Sequence, residues 1–125
     1  FYTRLMQNQK IKLNQKKKNH LFDSISRILK NKTGNFFYVY NKNNSVLYAL
    51  LYLKDKRKGY YFLGAGNSVN KTSWQSTFGH CEIFRFMQKK FDINFIDLEG
   101  VNSPKRGWFK LSLGGNLVPY FKVKI

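Results

Sequence analysis

Acidic residues are scarce in this chain. Asp and Glu total 6 against 23 Lys and Arg in 125 residues, a net charge of +17. Cysteine occurs once, as Cys81, which excludes a disulfide framework and a cysteine-rich zinc site. Proline occurs twice and glycine nine times, too few for a collagen-like or low-complexity chain. No apolar run approaches the roughly 20 residues that cross a bilayer as a helix. A Walker loop and a dinucleotide fingerprint are also missing: Gly64-Ala65-Gly66 has no third glycine, since Val69 stands where it would fall. The chain begins at Phe1 with no charged n-region, apolar core or cleavage site. The expectation is a cytoplasmic fragment, the C-terminal part of a longer chain whose start lies upstream.

What is present is apolar and aromatic. Hydrophobic residues make up 42% and aromatics 18%, with 12 Phe and 8 Tyr. That composition and length suit one folded domain over residues 1–125. The positive charge is uneven: residues 1–58 hold 14 basic and 2 acidic residues, and residues 59–125 hold 9 and 4. Such a field attracts polyanions or phosphate-bearing ligands. Eighteen of the basic residues are Lys, and 13 residues are Asn. AT-rich coding accounts for part of that excess.

Periodicity orders the elements. Residues 1–9 read as a helix end and 10–18 as a solvated connection. Leu21, Ile25, Ile28 and Leu29 form one stripe of a helix over residues 20–30, stopped at Thr33-Gly34-Asn35 with Gly34 suited to a left-handed cap. Phe36–Tyr40, Val46–Leu53 and Tyr60–Leu63, separated by polar turns, read as an antiparallel meander. A long helix follows over Ser73–Phe91, with Trp74, Phe78, Cys81, Phe84, Met87 and Phe91 as its apolar face. Ile93–Leu98 is then a strand parallel to the third, reached by a helical crossover. Ser103-Pro104 opens a short helix over Lys105–Leu113 that Gly114-Gly115 closes, and Leu117–Ile125 alternates as a last strand. The fold class is α/β: a mixed sheet with an antiparallel meander and one parallel strand, helices on its faces.

Few residues carry chemistry. His80 reads as a helix-surface residue and Cys81 as a buried, inert thiol. Asp97 and Glu99, two apart on a strand, share a face near its carboxyl end, where ligands of open α/β sheets gather. There a carboxylate can orient or deprotonate an ammonium group. The free amides expected at the start of the long helix, near Ser73, Gln75 and Ser76, suit a phosphate.

Residues 95–121 contain Phe95-Ile96-Asp97-Leu98-Glu99-Gly100, Phe109-Lys110, Gly114-Gly115 and Pro119-Tyr120-Phe121. This series resembles the C-terminal half of the Fem-like acyl- and aminoacyltransferases, proteins with GNAT-type domains. The resemblance implies a GNAT-like fold, no bound cofactor or metal, and transfer of an acyl or aminoacyl group from acyl-CoA or aminoacyl-tRNA to an amine. The acceptor it implies is a cell-envelope precursor or an amino sugar. The family's FK lysine matches Lys110, with Phe109 beside it and Tyr120 among the binding residues; Lys110 would stabilise charge at the reacting carbonyl or a nearby phosphate. Two departures stand out. Leu113 replaces an aromatic, and Ser73–Gly79, with one glycine and no basic residue, is not the pyrophosphate loop of ordinary acetyl-CoA enzymes. The competing expectation is a non-enzymatic, basic RNA-binding module in which Tyr38, Tyr40, Tyr48 and Tyr52 stack on bases. Donor, acceptor and oligomeric state stay open at this point.

Overall fold

The computed structural model describes Met6, residues 12–67, 74–101 and 103–119, and Val123. The expected helix end in residues 1–9, Met6 apart, and most of the expected last strand lie outside the described residues. Leu117–Pro119 are not strand.

The first helix, α1, spans Gln15–Lys30 and starts well before the apolar stripe does. Asn14 is extended and its side chain accepts from the Lys17 amide at 2.9 Å, capping the helix. Lys16–Lys18, expected in a connection, are therefore helical, and lysine is a good helix former. The left-handed residue after α1 is Lys32, with φ 54, not Gly34. Gly34 opens β1 instead. A Cβ there would lie 2.7 Å from both Ile28 Cγ2 and Leu53 Cδ2, so glycine lets α1 approach the sheet.

Strands β1 (Gly34–Tyr40), β2 (Val46–Lys54) and β3 (Lys58–Gly66) form the expected antiparallel meander. Its turns are built by side chains that accept backbone amides. Asn41 Oδ1 takes the amides of Asn43 and Ser45 at 2.9 Å. Asp55 Oδ1 takes those of Arg57 and Lys58, and its Oδ2 takes the Tyr60 hydroxyl. These bonds hold the Asp55 carboxyl down to about 2. A fourth strand, β4 (Phe95–Asp97), pairs parallel to β3 after the helical crossover, as the element order requires. It is shorter than expected, pairing only through Lys58↔Phe95, Gly59↔Ile96 and Tyr60↔Asp97.

The crossover helix, α2, spans Trp74–Phe91, and its buried face follows the predicted one only in part: Met87 is buried and Phe84 and Phe91 pack on the core. Gln75, Gly79, His80, Ile83 and Met87 are buried, while Trp74 and Phe78 are about half exposed at 51% and 50%. The reason is steric. A Cβ on Gly79 would lie 2.7 Å from Leu50 Cδ1 and 3.1 Å from Val39 Cγ2. The helix presses on the sheet at its smallest residue, which turns the bulkier aromatics toward the flanks. Gly34 and Val39 lie at odd spacing on β1, so their side-chain directions are opposite and α1 and α2 cover opposite faces. The core on the α2 side joins Leu50, Tyr52, Ile83, Met87 and Ile93.

The last helix, α3, spans Pro104–Ser112. Pro104 opens it as expected, although Ser103 makes no side-chain cap bond. Gly114, with φ 86, closes it. No described helix is long and apolar enough to cross a membrane.

The close approach at Gly79 yields a stability prediction. Gly79→Val gains helix propensity yet must displace Leu50 and Val39, and overpacking of this kind costs about 1–3 kcal/mol. Urea denaturation should show lower stability for Gly79→Val and no loss for the exposed Phe78→Ala. Equal stability of Gly79→Val and the parent would show that the helix does not bear on the sheet there.

Candidate active site

After Tyr60↔Asp97 the two parallel strands part. β3 continues to Gly66, while the chain beyond Asp97 leaves the sheet. Glu99 takes a left-handed conformation with φ 61, and Asp97 Oδ1 accepts its amide at 2.7 Å. Asp97 and Glu99 therefore do not share a strand face. The strand ends at Asp97, and a side-chain-capped turn places Glu99 beyond it. α3 then runs back, and Lys110 Nζ donates to the carbonyl of Gly100 at 2.8 Å.

These movements enclose a cavity of about 470 Å³ at the carboxyl end of β4. Asp97, Glu99, Lys110 and Lys58 supply its polar lining, and Val101, Leu111 and Leu117 part of its apolar wall. Burial raises the Glu99 carboxyl; Lys110 opposes that shift and Asp97 adds to it. Burial lowers the Lys110 ammonium, against the pull of Glu99. The two groups thus face each other across one partly dehydrated space. A smaller cavity of about 300 Å³ lies alongside, lined by Phe84, Gln88 and Leu98 among others. Among the described residues no three His, Cys, Asp or Glu side chains converge as metal ligands would.

The other expected site residues are distributed differently. Phe109 turns inward and packs its ring on His80, with centroids 5.5 Å apart. Gln75 is buried under the sheet at 3% exposure, and Ser76 hydrogen-bonds the Tyr48 hydroxyl. Neither lines the cavity that holds Lys110. Ser73 and Tyr120 lie outside the described residues. The four tyrosines of the RNA-binding expectation do not form one surface. Tyr38 and Tyr40 are exposed and adjacent on β1, whereas Tyr52 is fully buried on the α2 face.

Sequence reasoning missed the pair at the centre of the core. His80 is 1% exposed rather than on the helix surface, and its Nδ1 is hydrogen-bonded to the Tyr52 hydroxyl. Burial, with the Lys110 charge adding to it, holds the imidazole down to about 4. Tyr52, also enclosed, has its phenol raised. His80 Nε2 has no hydrogen-bond partner among the described residues, which costs about 1–3 kcal/mol for an enclosed polar atom. Gly79 was the available signal, because a glycine within a helix marks where its neighbours are carried inward.

A buried neutral histidine makes stability depend on pH. Between the unfolded value near 6.5 and the folded value near 4, the unfolded chain binds more protons, so stability present at pH 7 is lost as pH falls. The loss should be about 3 kcal/mol by pH 4. Glu99, raised above its ordinary value, contributes in the opposite sense over part of this range. Urea titrations at several pH values should show the loss in the parent. It should be largely absent in a Tyr52→Phe/His80→Phe double variant, which keeps both rings. The same slope in both proteins would refute a neutral, buried His80.

No family model matches the chain, and no curated protein does. Solved structures do resemble it. A possible acetyltransferase from Clostridium difficile 630 superposes with a TM-score of 0.76 at 13% identity, covering 100% of this chain and 86% of that one. A predicted acetyltransferase with acetyl-CoA from Clostridium acetobutylicum gives 0.71 at 14% identity, over 98% and 84%. An aminoglycoside antibiotic 6'-N-acetyltransferase from Acinetobacter haemolyticus gives 0.61 at 16% identity, over 87% and 82%. At these identities the likeness is one of fold. The fold is that of GNAT-type acetyltransferases, and nothing in these likenesses singles out the Fem-like branch.

Proposed function

We propose that the protein transfers an acyl group from acyl-CoA to an amine, in the cavity at the end of β4. The observation that carries this reading is the juxtaposition of Lys110, Glu99 and Asp97 in one cavity beside the parted strands. The fold shared with acetyltransferases, one of them described with acetyl-CoA, supports it. In the reaction the amine nitrogen attacks the thioester carbonyl carbon. The C–N bond forms, the C–S bond breaks, and CoA leaves as a thiolate. Lys110 supplies positive charge to the carbonyl oxygen or to a donor phosphate. Asp97 holds the acceptor as its ammonium form enters. Glu99, whose carboxyl burial raises above its ordinary value, takes as its carboxylate the proton that the amine must lose.

A donor carrying several phosphates suits a chain of net charge +17 even though Ser73–Gly79 lacks a glycine-rich phosphate loop. The Fem-like resemblance of residues 95–121 is the reason to include aminoacyl-tRNA among the donors tested. For the acceptor we favour a primary amine on an amino sugar or cell-envelope precursor, held by the carboxylates through its charge and by the apolar wall through its frame.

The test is a rate measurement on purified protein with acetyl-CoA, and separately with aminoacyl-tRNA, against a panel of amines that includes amino sugars. Loss of one preorganised charge donor costs about 10²–10³ in rate, and Lys110→Ala should fall in that range. Lys42→Ala, an exposed lysine in the β1–β2 turn, should cost nothing measurable. Glu99→Gln should lower the rate and flatten its rise with pH. Transfer only from aminoacyl-tRNA would move the donor assignment to the Fem-like alternative. Indistinguishable Lys110→Ala and Lys42→Ala rates would remove Lys110 from the site. RNA binding without transfer to any amine would favour the binding-module reading.

A further inference from the structure

His80 is a polar ring in an aromatic box. The rings of Tyr61, Phe109, Tyr52 and Phe84 surround it, with centroids 5.0, 5.5, 5.8 and 6.1 Å away. One of these walls, Phe84, also lines the smaller cavity, and Phe109 precedes Lys110, which lines the larger one. Tyr52 occupies Nδ1, while Nε2 is enclosed without a partner among the described residues. The two nitrogens lie on opposite sides of an imidazole, so Nε2 faces away from Tyr52 and β2. A phenol hydroxyl donating to Nδ1 leaves the proton of the neutral ring on Nε2. In that tautomer Nε2 is an enclosed hydrogen-bond donor with no acceptor among the described residues. Buried donors nearly always find an acceptor. Packing alone does not call for this pair, since two phenylalanines would fill the same volume with no polar atom to satisfy.

We propose that the Nε2–H of His80, with the Tyr52 hydroxyl donating to Nδ1, is the hydrogen-bond donor to the acyl carbonyl oxygen of the bound donor substrate. The proposal rests on the acyl-CoA reading above and adds to it a residue whose ring packs on Phe109, next to Lys110 in the chain. The chemistry of the pocket selects that partner. An enclosed N–H needs an acceptor that is small and uncharged, because a phosphate or an ammonium would pay heavily for dehydration among four aromatic rings. A thioester carbonyl meets both conditions. As the C–N bond forms, that oxygen gains negative charge and then returns it when the C–S bond breaks. A neutral N–H fixed by Tyr52 stabilises the charge without surrendering its proton. The Phe109 ring must turn aside to admit the carbonyl.

The chain contains only two histidines, His20 and His80. Imidazole nitrogen resonances of the isotope-labelled, full-length chain can therefore be assigned by comparison with His20→Gln. CoA and acetyl-CoA are each titrated into that sample, with calorimetry in parallel. The expected result is that acetyl-CoA shifts the His80 Nε2 resonance and CoA does not. The Tyr52→Phe/His80→Phe double variant should bind acetyl-CoA about five- to tenfold more weakly, the worth of one hydrogen bond, with CoA affinity unchanged. If that variant fails to fold, the resonances of the parent protein decide alone. A bound acetyl-CoA that leaves Nε2 unmoved, or equal shifts from CoA and acetyl-CoA, would overturn the proposal. Absence of acetyl-CoA binding by calorimetry would overturn the acyl-CoA reading itself, and this proposal with it; the heat signal separates that case from the others.

Discussion

The architecture depends on how closely α2 can approach the sheet. At Gly79 there is no side chain between the helix and Leu50 and Val39, so the helix backbone settles directly on β1 and β2. That contact sets the rotation of α2 about its axis. It brings Ile83 and Met87 into the core and turns Trp74 and Phe78 outward. It also carries His80 over Tyr52, where the two polar groups satisfy one another on one side only. The course of α2 delivers the chain to β4 beside β3. The short pairing of those strands then opens the space in which Lys110 and Glu99 meet.

The strand order was legible because it follows from local signals. Polar turns at 41–45 and 55–57 separate three apolar runs, and a long helix between strands implies a parallel return. The helix face was legible only in part, because apolar periodicity counts side chains by hydrophobicity and ignores their size. Cys81 and Phe84 shared a stripe in sequence, yet the helix buries Gly79 and His80 alongside Ile83 and Met87. Likewise Asp97 and Glu99 looked like neighbours on a strand. The strand ends at the first of them because Asp97 captures the Glu99 amide and bends the chain away. Lys110 was identified through a family resemblance rather than a physical rule. Its surroundings differ from those of the exposed lysines: burial lowers its ammonium, and its end is bonded to the Gly100 carbonyl.

The scarcity of acidic residues also takes on a spatial meaning. Three of the six, Asp55, Asp97 and Glu99, gather around the β3–β4 edge, where Tyr60 bonds Asp55 and lies in register with Asp97. In a chain of strong positive field this edge interleaves its carboxylates with Lys58 and Lys110. A cationic group approaching the protein is repelled almost everywhere and accommodated here. An anionic group is attracted broadly but meets a carboxylate at the cavity itself. Long-range attraction and short-range selection therefore act on different parts of a ligand.

The meander and the parallel strand differ in how far along the chain their partners lie. β1, β2 and β3 are joined by turns at 41–45 and 55–57, so their pairing closes only small loops. β4 is separated from β3 by residues 67–94 of the chain, and α3 follows later still. Loop-closure entropy makes the meander the early, low-contact-order part of folding and the β3–β4 junction the late one. The junction closes last and, with a three-residue ladder, opens at a lower free energy than the central strands. The molecule is thus arranged as a three-stranded platform with a less extensively paired parallel edge, tied to the core through Ile93 and Ile96.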